Sequence, residues 1–256
     1  MRETLEALAE GDISVAEAEA ALSGYATTEA GRFDAARERR GGVPEAILAE
    51  GKTPGEVANL AATAVETTGR AIVTRATHED AGAVRETLGE VTAEVPTITF
   101  DERTGVLLAR TADHEPPDLD ATVAVVTAGT SDAGTAGEAA AVAREMGATV
   151  ERVDDVGVAA ITRLVDRLPE LRAADVLVVA AGREGALPTV VAGLVDVPVI
   201  GLPVSTGYGH GGEGEAALAG MLQSCTELSV VNVDAGYVAG AQAGLIARAI
   251  DAARSE

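Results

Sequence analysis

A three-layer α/β core built on a parallel sheet, preceded by a smaller helical and α/β region, is the fold this 256-residue chain predicts. Three observations carry that expectation. From Thr122 onward short β-branched runs alternate with segments of helical length. The runs are apolar without period-two alternation, the pattern of strands buried on both faces. They end in loops of small and polar residues, the position at which parallel sheets bind ligands.

Two short helices are expected between Thr4 and Tyr25, where alanine, leucine and acidic residues recur at helical spacing and Asp12 and Ser14 supply turn or cap groups. VANLAATAVETTG (57–69) and AGAVRETLGE (81–90) read as helices, and AIVTRA (71–76), TITFD (97–101) and VLLAR (106–110) as strands. TADHEPPDLDA (111–121), with two prolines, four acids and no apolar period, has the composition of an exposed linker. The expected organisation is an N-terminal region 1–112, a linker 113–121 and a core 122–256. In the core the strands are TVAVVTAG, TVERVDD, DVLVVAAG, PVIGLPV and LSVVNV. The helices between and after them are AGTAGEAAAVAREMG, VAAITRLVDRLPELRAA, LPTVVAGLV, GEAALAGMLQSC and AGAQAGLIARAIDAA.

Composition excludes several classes of function. The net charge of −22, with Lys52 the one lysine against eighteen arginines, repels nucleic acid and reads as an acidic coat suited to a salt-rich cytoplasm. A single cysteine rules out an internal disulfide framework, and His78, His114 and His210 show no ligand spacing. The opening segment has neither a basic nor an apolar signal region, and the longest apolar run, VLVVAA at 176–181, is too short to span a bilayer. A soluble cytoplasmic protein with no membrane or nucleic-acid partner and no metal centre is expected.

Three loops carry the candidate chemistry. AGTSDAG (128–134) places Gly129 at a helix start, where backbone amides suit phosphate and where Thr130, Ser131 and Asp132 add groups suited to ribose and phosphate. Its glycines, at 129, 134 and 137, do not form the G-x-G-x-x-G dinucleotide fingerprint, and an N-capping turn explains the same residues. AGREGALP (181–188) puts Gly182, Arg183 and Glu184 at a second strand end. GYGHGGEGEAAL (207–218) leads to Cys225, the only thiol. Burial in a core is the commoner fate of a free cysteine, but a lone thiol beside pliable backbone, close to two other polar loops, reads as a nucleophile. GKT at 51–53 is not a P-loop, because Ala46 stands where the first glycine belongs.

AGREGALPTVVAGLVDVPVIGLPV (181–204) and GTSD (129–132) resemble the aminoimidazole ribonucleotide (AIR) carboxylase family, whose flavodoxin-like wrap the core would share. Where that family has a Ser-Ala-His-Arg motif, this chain reads VDDVGVAA (153–160). Most of the length is similar to the LarB family of pyridinium-3,5-biscarboxylic acid mononucleotide synthases, in GYG…AAL…MLQSC, in VNVDAGY and in DAARERRGGVPEAILAEGKTPGEV (34–57). That resemblance implies carboxylation of nicotinic acid adenine dinucleotide with carbon dioxide or bicarbonate, release of AMP, and a Cys225 adduct on the ring, with Glu184 or Asp132 as the base. It implies substrate contacts from Arg37, Arg40, Glu45 and Lys52, from Gly207, Tyr208 and Gly209, and from Asn232 and Asp234, besides the loop residues already named. It also implies an octamer built from dimers and no tightly bound cofactor, with assistance from Mg2+ left open. An AIR carboxylase or mutase, and a non-catalytic nucleotide binder with Cys225 in its core, remain as alternatives.

Overall fold

The computed structural model describes residues 1–92, 95–207 and 210–255, and the chain forms two compact units, Met1–Glu115 and Pro116–Glu256. Tyr208 and Gly209 lie outside the described residues.

The first unit opens with α1 (Arg2–Glu10) and α2 (Val15–Ser23). Ser14 and Glu17 fix the start of α2 reciprocally: the serine hydroxyl accepts from the Glu17 amide at 3.1 Å, and the glutamate accepts from the Ser14 amide at 2.7 Å. A hairpin of β1 (Ala26–Thr28) and β2 (Gly31–Phe33), the helical turn α3 (Arg37–Gly41) and the short β3 (Ile47–Leu48) follow. Hydrophobic periodicity foresees none of these, because elements this short hardly complete one period. Then come α4 (Pro54–Thr68), β4 (Arg70–Thr74), α5 (His78–Val91), β5 (Thr97–Asp101) and β6 (Val106–Arg110), where the sequence places helices and strands. Both helices start earlier than their apolar pattern, because Thr53 with Glu56 and Thr77 with Asp80 close capping boxes upstream of it. The sheet runs β3-β4-β6-β5, and Val57, Ala61, Val73, Leu88 and Leu107 fill its core.

The second unit is the expected three-layer core. Its strands are β7 (Thr122–Thr127), β8 (Thr149–Val153), β9 (Val176–Ala181), β10 (Val199–Pro203) and β11 (Ser229–Val230), all parallel in the order β11-β10-β9-β7-β8. Between and after them lie α6 (Ala133–Glu145), α7 (Ile161–Ala173), α8 (Ala186–Ala192), α9 (Glu215–Leu222) and α10 (Gly236–Arg254). β9 is buried along its whole length and β7 beyond its first residue, as unbroken apolar runs require. β8 departs from that expectation. It is an edge strand, and TVERV leaves Thr149 and Glu151 exposed.

One sheet face packs on α6 and α10 and the other on α7, α8 and α9. The α6–α10 seam is built from small residues. A Cβ on Gly236 would stand 2.2 Å from the Thr135 carbonyl oxygen, one on Gly240 2.4 Å from that of Ala139, and one on Gly244 2.6 Å from the Met146 sulfur. Glycine at every fourth position thus brings the two backbones within touching distance. Among the described residues no helix is long and apolar enough to cross a membrane.

Candidate active site

β7, β9 and β10 run parallel, so their carboxyl ends share one end of the sheet, and a cavity of about 180 Å³ lies between the loops that follow them. Gly129, Ser131 and Asp132 line it from the first loop, Gly182, Arg183 and Glu184 from the second, and Thr206 from the third. Gly157, Val158 and Ala159, which follow β8, complete the wall. The loops meet backbone to backbone: a Cβ on Gly182 would stand 2.2 Å from the Thr206 carbonyl oxygen. Next to it Arg183 adopts a left-handed φ of 46°, within a turn closed by the Gly185 amide donating to the Gly182 carbonyl at 2.9 Å. For a residue with a Cβ that conformation costs about 1 kcal/mol or more, and such strain concentrates at functional sites.

A second cavity, also about 180 Å³, is lined by Arg183, Glu184, Gly207, His210 and the glycines that follow. The Arg183–Glu184 turn is therefore a wall common to both cavities.

Asp132 is 3% exposed. Its Oδ2 accepts from the Gly129 amide at 2.8 Å, and the Thr206 hydroxyl stands 3.5 Å from Oδ1. Burial pushes its pKa above the ordinary aspartate value, and hydrogen bonds from Gly129, Thr206 and Ser131 offset only part of that effect. A raised folded-state pKa means that the folded chain binds this proton more tightly than the unfolded chain. The stability linked to the group is present at low pH and is lost as pH rises through the raised value. Asp132→Asn keeps an acceptor for Gly129 without the buried charge. The variant is expected to melt at or above the wild-type temperature at pH 7, with the difference shrinking on acidification, while activity falls. Thermal melts of both proteins across pH check this, and a lower variant Tm at pH 7 would contradict it.

The structure does not bring Cys225 to these loops within one chain. Cys225 is exposed, which overturns the reading of it as a core residue. Ser229 pairs with Ile200, so the segment before β11 lies at the amino end of β10, whereas the cavities lie at the carboxyl end. The eight residues of α9, about 12 Å of helix, separate the thiol from the glycine-rich loop. Ser224 and Thr226 hold the turn through a hydroxyl pair at 2.7 Å and a Thr226 amide bond to Ser224 Oγ at 3.1 Å, leaving the cysteine between them in solvent.

Other expected contacts also fall elsewhere. Thr130 is exposed at the turn before α6. Asn232 lines a separate apolar groove of about 350 Å³ beside β11 and α10. Asp234 is a brace, its Oδ1 accepting from the Ser205 amide at 3.0 Å with the Thr135 hydroxyl at 3.4 Å. In the first unit Arg37 pairs with Glu45 at 3.0 Å, and Arg40 forks onto Asp34 at 2.9 and 2.6 Å, which lowers the Asp34 pKa. Lys52 donates to the Leu48 carbonyl at 2.7 Å. Among the described residues no group of three His, Cys, Asp or Glu side chains is placed to hold a metal ion.

Sequence reasoning missed Thr206, the 157–159 wall and Arg70. Thr206 follows a strand as the other site residues do, so its position alone would have found it. Arg70 is a cation opening the apolar run RAIV, and it is buried, donating to Glu38 at 2.6 Å and lying 3.2 Å from the His114 ring.

Residues 122–256 match the family described as AIR carboxylase, and residues 25–110 match the LarB/PurE-like N-terminal domain. The chain is 36% identical over 254 residues, 97% of each chain, to Uncharacterized protein MJ0165 of Methanocaldococcus jannaschii. A solved PurE structure from Treponema denticola aligns with 52% of this chain and 91% of its own at 19% identity and a TM-score of 0.40. A second PurE structure from that organism covers 55% and 94% at 21% identity and a TM-score of 0.39. The family's function is of the carboxylase type. With its core matched from end to end, the chain belongs to the AIR carboxylase family and carries a LarB/PurE-like domain ahead of that core.

Proposed function

We propose that the protein carboxylates the pyridinium ring of nicotinic acid adenine dinucleotide and hydrolyses its phosphoanhydride, giving pyridinium-3,5-biscarboxylic acid mononucleotide and AMP. One observation carries the reading: an AIR carboxylase core joined to a LarB/PurE-like N-terminal domain in a single chain. In the first step the Cys225 thiolate adds to ring position 4, and the resulting dihydropyridine makes position 5 nucleophilic toward carbon dioxide. Once the new carbon–carbon bond has formed, the position-5 proton leaves to a base. The ring nitrogen then expels the thiolate and aromaticity returns. Glu184 suits the base better than Asp132, because it is exposed and lines both cavities, so a proton it takes has a path to water.

Since Cys225 lies at the opposite sheet edge from its own cavity, the thiol acting there belongs to a neighbouring copy of the chain. Arg37, Arg40 and Lys52 supply the phosphate contacts, the arginines exchanging a carboxylate partner for a phosphate. Arg37→Ala and Arg40→Ala are each expected to cost about tenfold or more in kcat/KM, since a charge-assisted hydrogen bond is worth about 1.5 to 3 kcal/mol. Steady-state kinetics check this, and unchanged constants would remove both residues from binding.

The reading is tested by incubating the protein with nicotinic acid adenine dinucleotide, bicarbonate and magnesium in molar salt and analysing the products by mass spectrometry. Carboxylated mononucleotide with AMP supports it. A second reading, carboxylation or rearrangement of an imidazole ribonucleotide, is favoured by the core match alone. Carboxylated AIR in a parallel reaction, with the dinucleotide untouched, would establish that reading instead.

A further inference from the structure

We propose that Arg144 and Arg152 form a binding site for an oxyanion of the phosphate class, apart from the two cavities and independent of the carboxylation reading. Neither residue lines those cavities. Arg144 lies in the last turn of α6, and Arg152 in β8, the strand that follows it. Side chains alternate along a strand. Val150, two residues before Arg152, packs on the cluster that holds Ala139, Ala140 and Ala143 of α6, and Val153, one residue after, packs into the opposite cluster. Arg152 therefore projects to the α6 side, and its neighbour Glu151 to the other.

The chain does not neutralise the two guanidinium groups, although it has 41 acids against 19 lysines and arginines. Arg40, Arg167 and Arg254 each hold a carboxylate that raises their pKa. At Arg144 the direction is reversed. Burial first, and then the charge of Arg152, lower its pKa, and no carboxylate among the described residues offsets them. A cation is favoured in the last turn of a helix, which accounts for Arg144 in that position but gives Arg152 no partner. Arg152 meets one acid, Asp154, through one nitrogen. Its Nη2 donates to Asp154 Oδ1 at 2.8 Å, and that oxygen also accepts from the Thr127 hydroxyl at 3.0 Å. The Nε of Arg152 is buried without a hydrogen-bond partner. Buried donors of this kind are rare in folded chains, and an added acceptor is what relieves them.

The donors select the ligand. A guanidinium presents N–H groups in a fixed fork that matches the oxygens of a phosphate, and a tetrahedral oxyanion offers separate oxygens to two arginines at once. Seated between them, it turns the Arg152 fork toward itself, gives Nε an acceptor and ends the repulsion felt by Arg144. Solvent reaches both groups, since Arg144 is exposed and the Arg152 side chain is 24% exposed.

The test is isothermal titration of the full chain with inorganic phosphate at constant ionic strength, for wild type, Arg144→Gln and Arg152→Gln. Wild type is expected to bind saturably and each variant about tenfold or more weakly, since each loses charge-assisted hydrogen bonds. Arg144 is exposed and pairs with no carboxylate, so its variant keeps the fold even where Arg152→Gln unsettles Asp154. Glycerol phosphate is titrated beside the free ion. Equal binding of the ester assigns the site to the end of a phosphorylated molecule, and binding of the free ion alone assigns it to the ion; both agree with the arginine pair when both variants weaken them. Wild type that does not saturate overturns the proposal, and so does binding undiminished in Arg144→Gln, which would belong to the loop amides of 128–134. None of these outcomes involves turnover of the dinucleotide, so the carboxylation reading stands or falls separately.

Discussion

Cys225→Ser is expected to lower carboxylation by at least about a thousandfold while leaving dinucleotide affinity within about twofold. A serine hydroxyl is a far poorer nucleophile than a thiolate toward a soft, electron-poor ring at neutral pH. The exposed position of Cys225 means the substitution removes no packing. Near-normal turnover in the serine variant would take the thiol out of the mechanism. The placement of the thiol at the far sheet edge adds a sharper expectation. Co-expressing Cys225→Ser with Glu184→Gln, each inactive alone, should recover up to about a quarter of wild-type activity, because one site in four drawn at random combines an intact cavity with an intact thiol from a neighbour. Mixed assemblies that stay inactive would exclude a site shared between copies.

Gly182→Ala is expected to be among the most damaging single methyls in the core. The added Cβ would stand 2.2 Å from a backbone oxygen of Thr206, and neither the β9 end nor the β10 end is a flexible side chain that can swing away. Relieving the clash means separating the two loops, at a cost of about 3 kcal/mol or more, which lowers Tm by roughly 6 to 12 °C. The same separation opens the cavity wall and detaches Thr206 from Asp132, so activity is lost along with stability. A variant that melts with the wild type and turns over normally would show that the loops give way more cheaply than their contact implies. Differential scanning calorimetry and the mass-spectrometric assay, run on one preparation, decide it.

The core was legible because its strands are buried. DVLVVAAG and TVAVVTAG have no polar face to hide, and their loops fall at the one sheet edge where crossovers must deliver them. Asp132, Arg183 and Glu184 could be picked out for the same reason, since each follows a strand directly. The distance between Cys225 and those loops could not, because motif order along the chain says nothing about which end of α9 faces which sheet edge until the pairing of Ser229 with Ile200 fixes it. In the first unit the hairpin, α3 and β3 escaped for want of length, and the early starts of α4 and α5 are set by single side-chain caps rather than by any periodic signal. Arg183 in a left-handed conformation has no sequence signature, since an arginine there is a cost imposed by the fold.

The glycine seam between α6 and α10 bears on how the protein can change over time. Positions 236 and 240 leave no room for a Cβ, which would press on backbone oxygens of α6, and at 244 a Cβ would have to displace the Met146 side chain. Random mutation at these sites therefore meets a wall as steep as that around a reacting group, although the seam lies on a sheet face rather than at the edge where the loops gather. Among descendants of this chain, invariance at those three glycines would record the spacing of two helices. A survey that ranked residues by constancy alone would mistake that limit on shape for a share in the chemistry.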